Sequence, residues 1–595
     1  MYNYEDNSKK IKVMLEEKTK KYNHISNSRM FVSCLGIFLF IYSIIKRSKV
    51  SFVLFICACV AFVYFLVLHN KVADEREYLE SKLSVITKRW KRLTDQWAEF
   101  EETGEEFLRE ESYVQKDLDI FGKNSLYQYM CVASTVEGKE KLASYLTETN
   151  PEIKRIKERE EAVRELLEKN EFSFELETLC RLNGKKHKDN NHQWYYSFLE
   201  YLERKSPLVM RGFNVCSVIF PVVSLLLVYL ALHKIIGFEI IVIMFTLQIG
   251  MAYYVGYKNK NIIGKVFMFC LSIEKVLDII NYIEKTQFES KYLKNIRSKL
   301  VNNGKATTTI EKLNGLNEVF AIQRNPYIHI MLQMFFMFDI HCIRLLENWK
   351  KSYACNIKEL FQVIGEMEAL LSLSMVGLDR RTSFPELIDG KKPILVGIEM
   401  YHPLIDGNKV VSNSFTMEDG IQLITGSNMS GKTTFMRTIG INVVLAYAGA
   451  PVCANRMKLS IMKIFTSMRV IDDVSKGVSS FYAEVLRMKS IVEYSKKEKP
   501  MLVFIDEIFK GTNSADRIIG AQEILKGMNK IHIIAFVSTH DFELCKLVED
   551  HEIKGNNHHF MEYYKGNKIY FDYKLKKGKC KTTNAKYLLK MAGLF

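Results

Sequence analysis

Between Arg29 and Lys46 lie sixteen residues without a charge, MFVSCLGIFLFIYSII, and between Lys49 and His69 nineteen more, VSFVLFICACVAFVYFLVL. Such runs leave few folds open. In hydrocarbon every backbone polar group must be satisfied within its own segment, which selects helices, and about 20 residues rising 1.5 Å each cross about 30 Å of bilayer. The first run is marginally short, a deficit that snorkelling flanks can cover. A second pair occupies residues 212–232 and 240–257, with Pro221 as a kink and Glu239 at a boundary. The alternative is a set of buried helices in a water-soluble domain. Two close pairs with aromatics at their ends favour four transmembrane helices in two hairpins, one beginning at Met30 and ending at Leu68, the other beginning at Gly212 and ending at Tyr257.

After the second run, Leu79, Leu83, Ile86, Trp90, Leu93, Trp97 and Phe100 recur in alternating four- and three-residue steps amid charges, a coiled-coil stripe that pairs either within the chain or with another subunit. Segments 258–300 and 328–375 read as long helices with few Gly or Pro residues, so the middle of the chain is expected to be mainly α.

The chemistry concentrates further on. From Gly426 the sequence Gly426-Ser427-Asn428-Met429-Ser430-Gly431-Lys432-Thr433, followed by Thr434, matches G-x-x-x-x-G-K-[ST], preceded by the apolar strand IQLIT and followed by a helical TFMRTIGINVVLAYA. Glycines let successive N–H groups turn toward phosphate oxygens, Lys432 adds a charge at the β- and γ-phosphates, and the Thr433 hydroxyl can ligate Mg²⁺. A second strand, MLVFIDE, ends in Asp506 and Glu507, one acid for the metal and one to polarise water as general base. A third, IHIIAFVST, terminates at His540, placed to sense the γ-phosphate.

Composition narrows the setting. A net charge of +16 suits anionic partners, nucleic acid or the cytoplasmic membrane face, without choosing between them. Twelve cysteines without a C-x-x-C pair favour reduced thiols over disulfides or zinc. The first apolar run begins only at Met30 and lacks a small-residue cleavage site, unlike a cleavable signal peptide. Because the nucleotide-binding half must meet ATP, residues beyond 258 are expected in the cytoplasm, and two hairpins put 1–29 and 70–211 there too; the basic KRSK turn of the first hairpin pulls the other way.

With these residues identified, the C-terminal half resembles the ATPase domain of the MutS mismatch-repair family, a branch of the ABC-type ATPases. TGSNMSGKTTFMRTIGINVVLAYAGAPVCA is similar to that family's extended loop; GVSSFYAE is similar to its signature segment, with Ser479 and Ser480 as the hydroxyls that meet the other subunit's nucleotide; DEIFKGTNSADR and STHDFEL resemble its acidic strand end and histidine switch; FDYKLKKGKC and AKYLLKMAGLF resemble its closing strand and last helix. Upstream, residues 118–166 resemble the start of the family's helical lever core.

The resemblance implies a P-loop, ABC-type α/β ATPase domain at 386–595. Ahead of it would stand a mainly α lever in two parts, 118–206 and 258–385, interrupted by the hairpin at 207–257, with a cytoplasmic segment at 1–29, the first hairpin at 30–69 and the coiled-coil helix at 70–117. It further implies a homodimer that sandwiches ATP and Mg²⁺. The departures are that no mismatch-reading wedge fits before Leu118, that the Phe-x-Glu at Phe100 falls on the helical stripe, that Phe509 and Lys510 replace a small residue and Arg, and that no Smr-like nuclease extension follows Phe595.

Three functions are open on this reading: a membrane-anchored MutS-like ATPase acting on DNA through backbone or structure; a membrane-tethered, ATP-switched scaffold that never touches DNA; and an ABC-type transporter. The last is disfavoured by the missing L-S-G-G-Q signature, by the mere 74 residues between Lys432 and Asp506, and by spans without intramembrane charges.

Overall fold

The computed structural model describes residues 4–185, 193–204, 211–270, 273–301, 305–322, 326–378, 380–427, 429–469, 480–509, 513–565 and 568–580. Helices run from Tyr4 to Ser374, and a mixed α/β half follows.

Helices Tyr4–Lys46 and Lys49–Leu93 form one antiparallel hairpin whose turn is capped by Ser48, its hydroxyl accepting from Ser51 N. At 43 and 45 residues each helix is about 65 Å long, twice what hydrocarbon requires. The sequence divides that length: the outer parts show apolar side chains such as Phe31, Ile45, Val53 and Val67 outward, while the inner parts are charged and pack as a protein. There Lys18 pairs with Glu75, and the ring of Tyr22 lies 4.2 Å from that of His69. The coiled-coil stripe therefore pairs within the chain: Leu79, Val85 and Ile86 are buried with Tyr4, Ile11 and Phe174. It also outruns its helix, because the chain turns after Leu93; Trp97 and Phe100 enter the main core instead, and Trp90 is 40% exposed.

Two buried arginines fasten the hairpin to the helical core. Arg89 donates to Glu177 Oε2 (2.8 Å) and Asn170 Oδ1 (2.9 Å), and Arg92 to the carbonyls of Tyr129 and Cys131.

Arg211–Leu232, with Pro221 inside it, and Phe238–Cys270 make the second hairpin. Among the described residues five helices are long and apolar enough to cross a membrane, but the windows differ: those of the two hairpins are 11–22% buried, whereas Ile357–Gly377 is 83% buried within the protein.

Two expectations for the middle of the chain need correction. Residues 258–300 comprise the end of the helix Phe238–Cys270 and the helices Ile273–Lys285 and Lys291–Val301. The segment 328–375 is broken at Met337, which takes a left-handed conformation (φ 49°, ψ 48°), so that Pro326–Phe336 and Phe338–Ser374 meet at an 83° bend. No Gly or Pro marks that break, which is why composition concealed it.

The long helix Phe338–Ser374 packs against Val136–Leu146 so closely that a Cβ on Gly365 would sit 2.8 Å from Gly138 N. Its buried Glu368 accepts from Ser134 N (2.8 Å), Thr135 N (3.1 Å) and the Thr135 hydroxyl. Beyond it, Leu395–Met400, Asn413–Met417 and Arg456–Ser460 build most of a four-stranded sheet. A six-stranded sheet runs in the order Lys576–Lys577, Gly555–His559, Gly420–Thr425, Ile533–Ser538, Met501–Asp506, Lys463–Ser467, parallel except at its first strand. The strands Gly420–Thr425 and Ile533–Ser538 at its centre are buried throughout, which explains their mainly apolar sequence; the polar Gln422 and Thr425 are met by His558.

Candidate functional site

The register of the six-stranded sheet builds the site. Ile424 pairs with Ser538 and Ser538 with Asp506, so three parallel strands end at one level and the segments that follow are gathered at their carboxyl edge. After Gly420–Thr425 comes a loop whose glycines have φ of 145° (Gly426) and 103° (Gly431), both outside what L side chains readily adopt. A Cβ on Gly426 would come within 2.8 Å of Ser430 Oγ and 2.9 Å of the Phe560 carbonyl. The helix Lys432–Ala448 starts directly behind, its amino end facing the loop.

The predicted residues converge there. Lys432 Nζ donates to the carbonyls of Gly426 (2.7 Å) and Ser427 (3.0 Å) and lies 3.4 Å from His540 Nε2. Thr433 donates to Asp506 Oδ2 (2.8 Å), and Ser538 donates to the other oxygen. Glu507 Oε1 lies 2.9 Å from His540 Nε2, on a backbone held at φ 61°, a strained conformation for a non-glycine residue at a strand end. Ser430 is buried and donates to Ser427 O (2.8 Å), Met429 is 77% exposed, and Thr434 is exposed. Asn428 and Ser479 lie outside the described residues, as does the side chain of Ser480, which begins the helix Ser480–Ser495. The expected last helix, 585–595, lies outside them too.

Three observations fit this loop to a phosphate chain and a hard cation. Ser427 Oγ is buried without a hydrogen-bond partner in the protein, and the two glycines leave a cradle that side chains would fill. Thr433 and Asp506 supply oxygens alone, the donor type Mg²⁺ takes.

Beside the loop opens a cavity of about 310 Å³ lined by Met400, His402, Asn413, Phe435, Phe560 and Tyr573, with Gly431 at its edge. Burial, helped by Arg437, pushes the His402 imidazole down to about 4, so it is neutral at pH 7. The cleft is thus mainly apolar and partly aromatic, with Lys409 as a cation on its lining, and it abuts the loop. Sequence reading missed it because its walls come from residues 400–413, 431–438 and 560–573 and carry no motif.

Other partners were also invisible in the sequence. Glu484 accepts from Phe509 N (2.7 Å), tying the helix Ser480–Ser495 to the turn after Glu507. Arg517 makes a two-pronged contact with Asp541 (3.0 and 2.7 Å), the residue after His540. Asp117 accepts from Met468 N and Arg469 N (3.0 Å each), while Asp119 pairs with Arg469 and Arg437, so the helical core grips the chain just ahead of the signature segment.

The family described as MutS domain V matches residues 422–594. The chain is 33% identical over 245 residues to the DNA mismatch repair protein MutS of Bacillus licheniformis, covering 39% of this chain and 27% of that protein. For the protein of the same name from Lysinibacillus sphaericus the figures are 30% over 333 residues, 54% and 36%, and for that of Aquifex pyrophilus 32% over 252 residues, 40% and 29%. The matched stretch thus spans about a third, or less, of these relatives. The residues matched by the family include the glycine-cradled loop, the strand ending at Asp506 and His540, so the similarity to MutS domain V falls on the residues gathered at this edge of the sheet.

Proposed function

We propose that this protein is a membrane-anchored MutS-like ATPase: a P-loop, ABC-type domain in which two copies enclose ATP and convert its hydrolysis into movement of the helical lever. The observation that carries the reading is the meeting of Lys432, Thr433–Asp506 and Glu507–His540 at one edge of the parallel sheet.

In this reading the loop amides from Ser427 to Lys432 and the Lys432 ammonium hold the β- and γ-phosphates, and the cavity by Tyr573 takes the adenine. Thr433 and Asp506 would hold Mg²⁺, which supplies positive charge to the phosphate oxygens when bound. Glu507 orients and polarises the attacking water, and His540, in contact with both Glu507 and Lys432, reports loss of the γ-phosphate. Lys432 leaves the two loop carbonyls for the phosphates, an exchange of neutral acceptors for charged ones that favours binding. Ser479 and Ser480 of each copy complete the other's site. Catalysis of this kind is positioning and electrostatics.

The two apolar hairpins, Tyr4–Lys46 with Lys49–Leu93 and Gly212–Leu232 with Phe238–Lys260, are proposed as four spans with the ATPase half cytoplasmic. The buried Arg89 and Arg92 then transmit force between membrane and core.

DNA is the open partner. The relatives' printed name speaks for it, whereas the apolar surface at the far end of the lever favours a second reading, an ATP-switched membrane scaffold. Turnover by the detergent-solubilised chain, with and without duplex, branched and mismatched DNA across a salt series, separates them. Stimulation that falls steeply with salt supports action on DNA, and indifference to every DNA supports the scaffold.

A further inference from the structure

The lever does not end in a water-compatible surface. From residue 325 to 338 there is no Lys, Arg, Asp or Glu, and in the helix Pro326–Phe336 the side chains of Ile328, Ile330, Met331 and Phe336 are 48–60% exposed. Four large apolar groups on three turns is a surface that water disfavours. A ring on the same helix gives its location. The ring of Phe335 packs edge-on against Phe245 with centroids 5.2 Å apart. Phe245 stands seven residues into the helix beginning at Phe238, about 10 Å from its start and within its apolar run.

The polar groups of this region are arranged as a low dielectric demands. The break at Met337 frees backbone groups, and Asp339 N finds Gln333 Oε1 at 3.3 Å. His329 Nε2 lies 2.8 Å from Asp339 Oδ1, and His341 Nε2 lies 3.1 Å from the Ser217 carbonyl in the first helix of the second hairpin. A non-helical bend at membrane depth is tolerated only when its freed groups are satisfied inside the protein in this way.

We propose that Pro326–Phe336 is a re-entrant helix lying in the acyl region of the bilayer beside the second hairpin, its exposed side chains covered by lipid chains. This rests on the reading of that hairpin as membrane-spanning. The occupant is lipid because the exposed face continues the apolar surface of the hairpin it packs on. The consequence is mechanical. The helix Phe338–Ser374, about 55 Å long, joins this element to Glu368 and to Gly377, where a Cβ would sit 3.1 Å from Pro451 in the α/β half. Nucleotide-driven motion of the lever is thereby delivered to the bilayer interior.

The test places a tryptophan on this face in the full chain, reconstituted in phosphatidylcholine vesicles with or without brominated acyl chains, and subtracts the quenching of the unaltered protein. Ile330→Trp is compared with Leu225→Trp, on the exposed side of the second hairpin, and with Ile531→Trp, exposed on the α/β half. The expected result is a loss of the added fluorescence for Ile330→Trp comparable to that for Leu225→Trp, with none for Ile531→Trp. Quenching of Leu225→Trp without quenching of Ile330→Trp overturns the proposal and points to water or a second copy of the chain as the occupant, leaving the spans intact. Absence of quenching at both positions removes the membrane reading, and this proposal with it. Met331→Trp repeats the measurement if Ile330→Trp fails to fold.

Discussion

Replacing Glu368 by Ala tests whether the lever helix is locked to the helical core. The side chain is 1% exposed and serves three donors, the amides of Ser134 and Thr135 and the Thr135 hydroxyl, while Thr135 in turn caps the helix Val136–Leu146. Truncation leaves two largely buried amides without an acceptor, at about 1–3 kcal/mol each, and the relief of a desolvated carboxylate offsets part of that. The net expectation is a loss of about 3 kcal/mol at this joint, and about half of that for Glu368→Gln, which keeps the shape and one acceptor. In native-state hydrogen exchange on the purified full chain, 3 kcal/mol corresponds to a fall in protection of about 100-fold for amides of 134–146. Exchange should be little changed at Ile533, Ala535 and Val537, which pack in a second apolar cluster that contains no residue of 134–146. If Glu368→Ala leaves protection at 134–146 as it was, the lever and core are not joined through this carboxylate, and the transmission argument fails at that step.

Two further outcomes are expected. Lys432→Ala should weaken nucleotide binding at least tenfold by equilibrium titration, since it removes the ammonium held at the loop carbonyls beside His540; unchanged affinity would contradict its assignment. Glu137 has a carboxyl pushed up to about 8 by burial, helped by the adjacent Glu368, with one oxygen unpartnered. A carboxyl raised in the folded state binds its proton more tightly there than in the unfolded chain, so stability falls as pH rises from about 4.5 toward 8. Glu137→Gln should accordingly stabilise by about 1–2 kcal/mol at pH 7 and scarcely at pH 4.5, as read by melting at the two pH values, and equal effects at both would refute the assignment.

What could be read from the sequence was whatever depends on neighbours along the chain. The loop from Gly426 to Thr433 carries its own conformational signature, and the strands before Asp506 and His540 announce themselves as apolar runs; the sheet register then brings these ends together. Hidden were features set by tertiary contact. Met337 bends the chain without a Gly or Pro because Gln333, His329 and Asp339 satisfy the break around it. Glu368 finds its partners more than 230 positions away, and the cavity by Tyr573 is assembled from three separated stretches. The stripe after the first hairpin kept its period past Leu93 although the helix did not, since Trp97 and Phe100 bury equally well in the main core from a turn.

The most direct test of the central claim is the mass of Glu507→Gln in detergent with Mg²⁺ and ATP, measured by light scattering beside its ATP turnover. A chain that encloses ATP between two copies and uses Glu507 to direct water should lose turnover by about 100-fold or more and accumulate as a nucleotide-filled dimer. A monomer that hydrolyses ATP at the unaltered rate would contradict it.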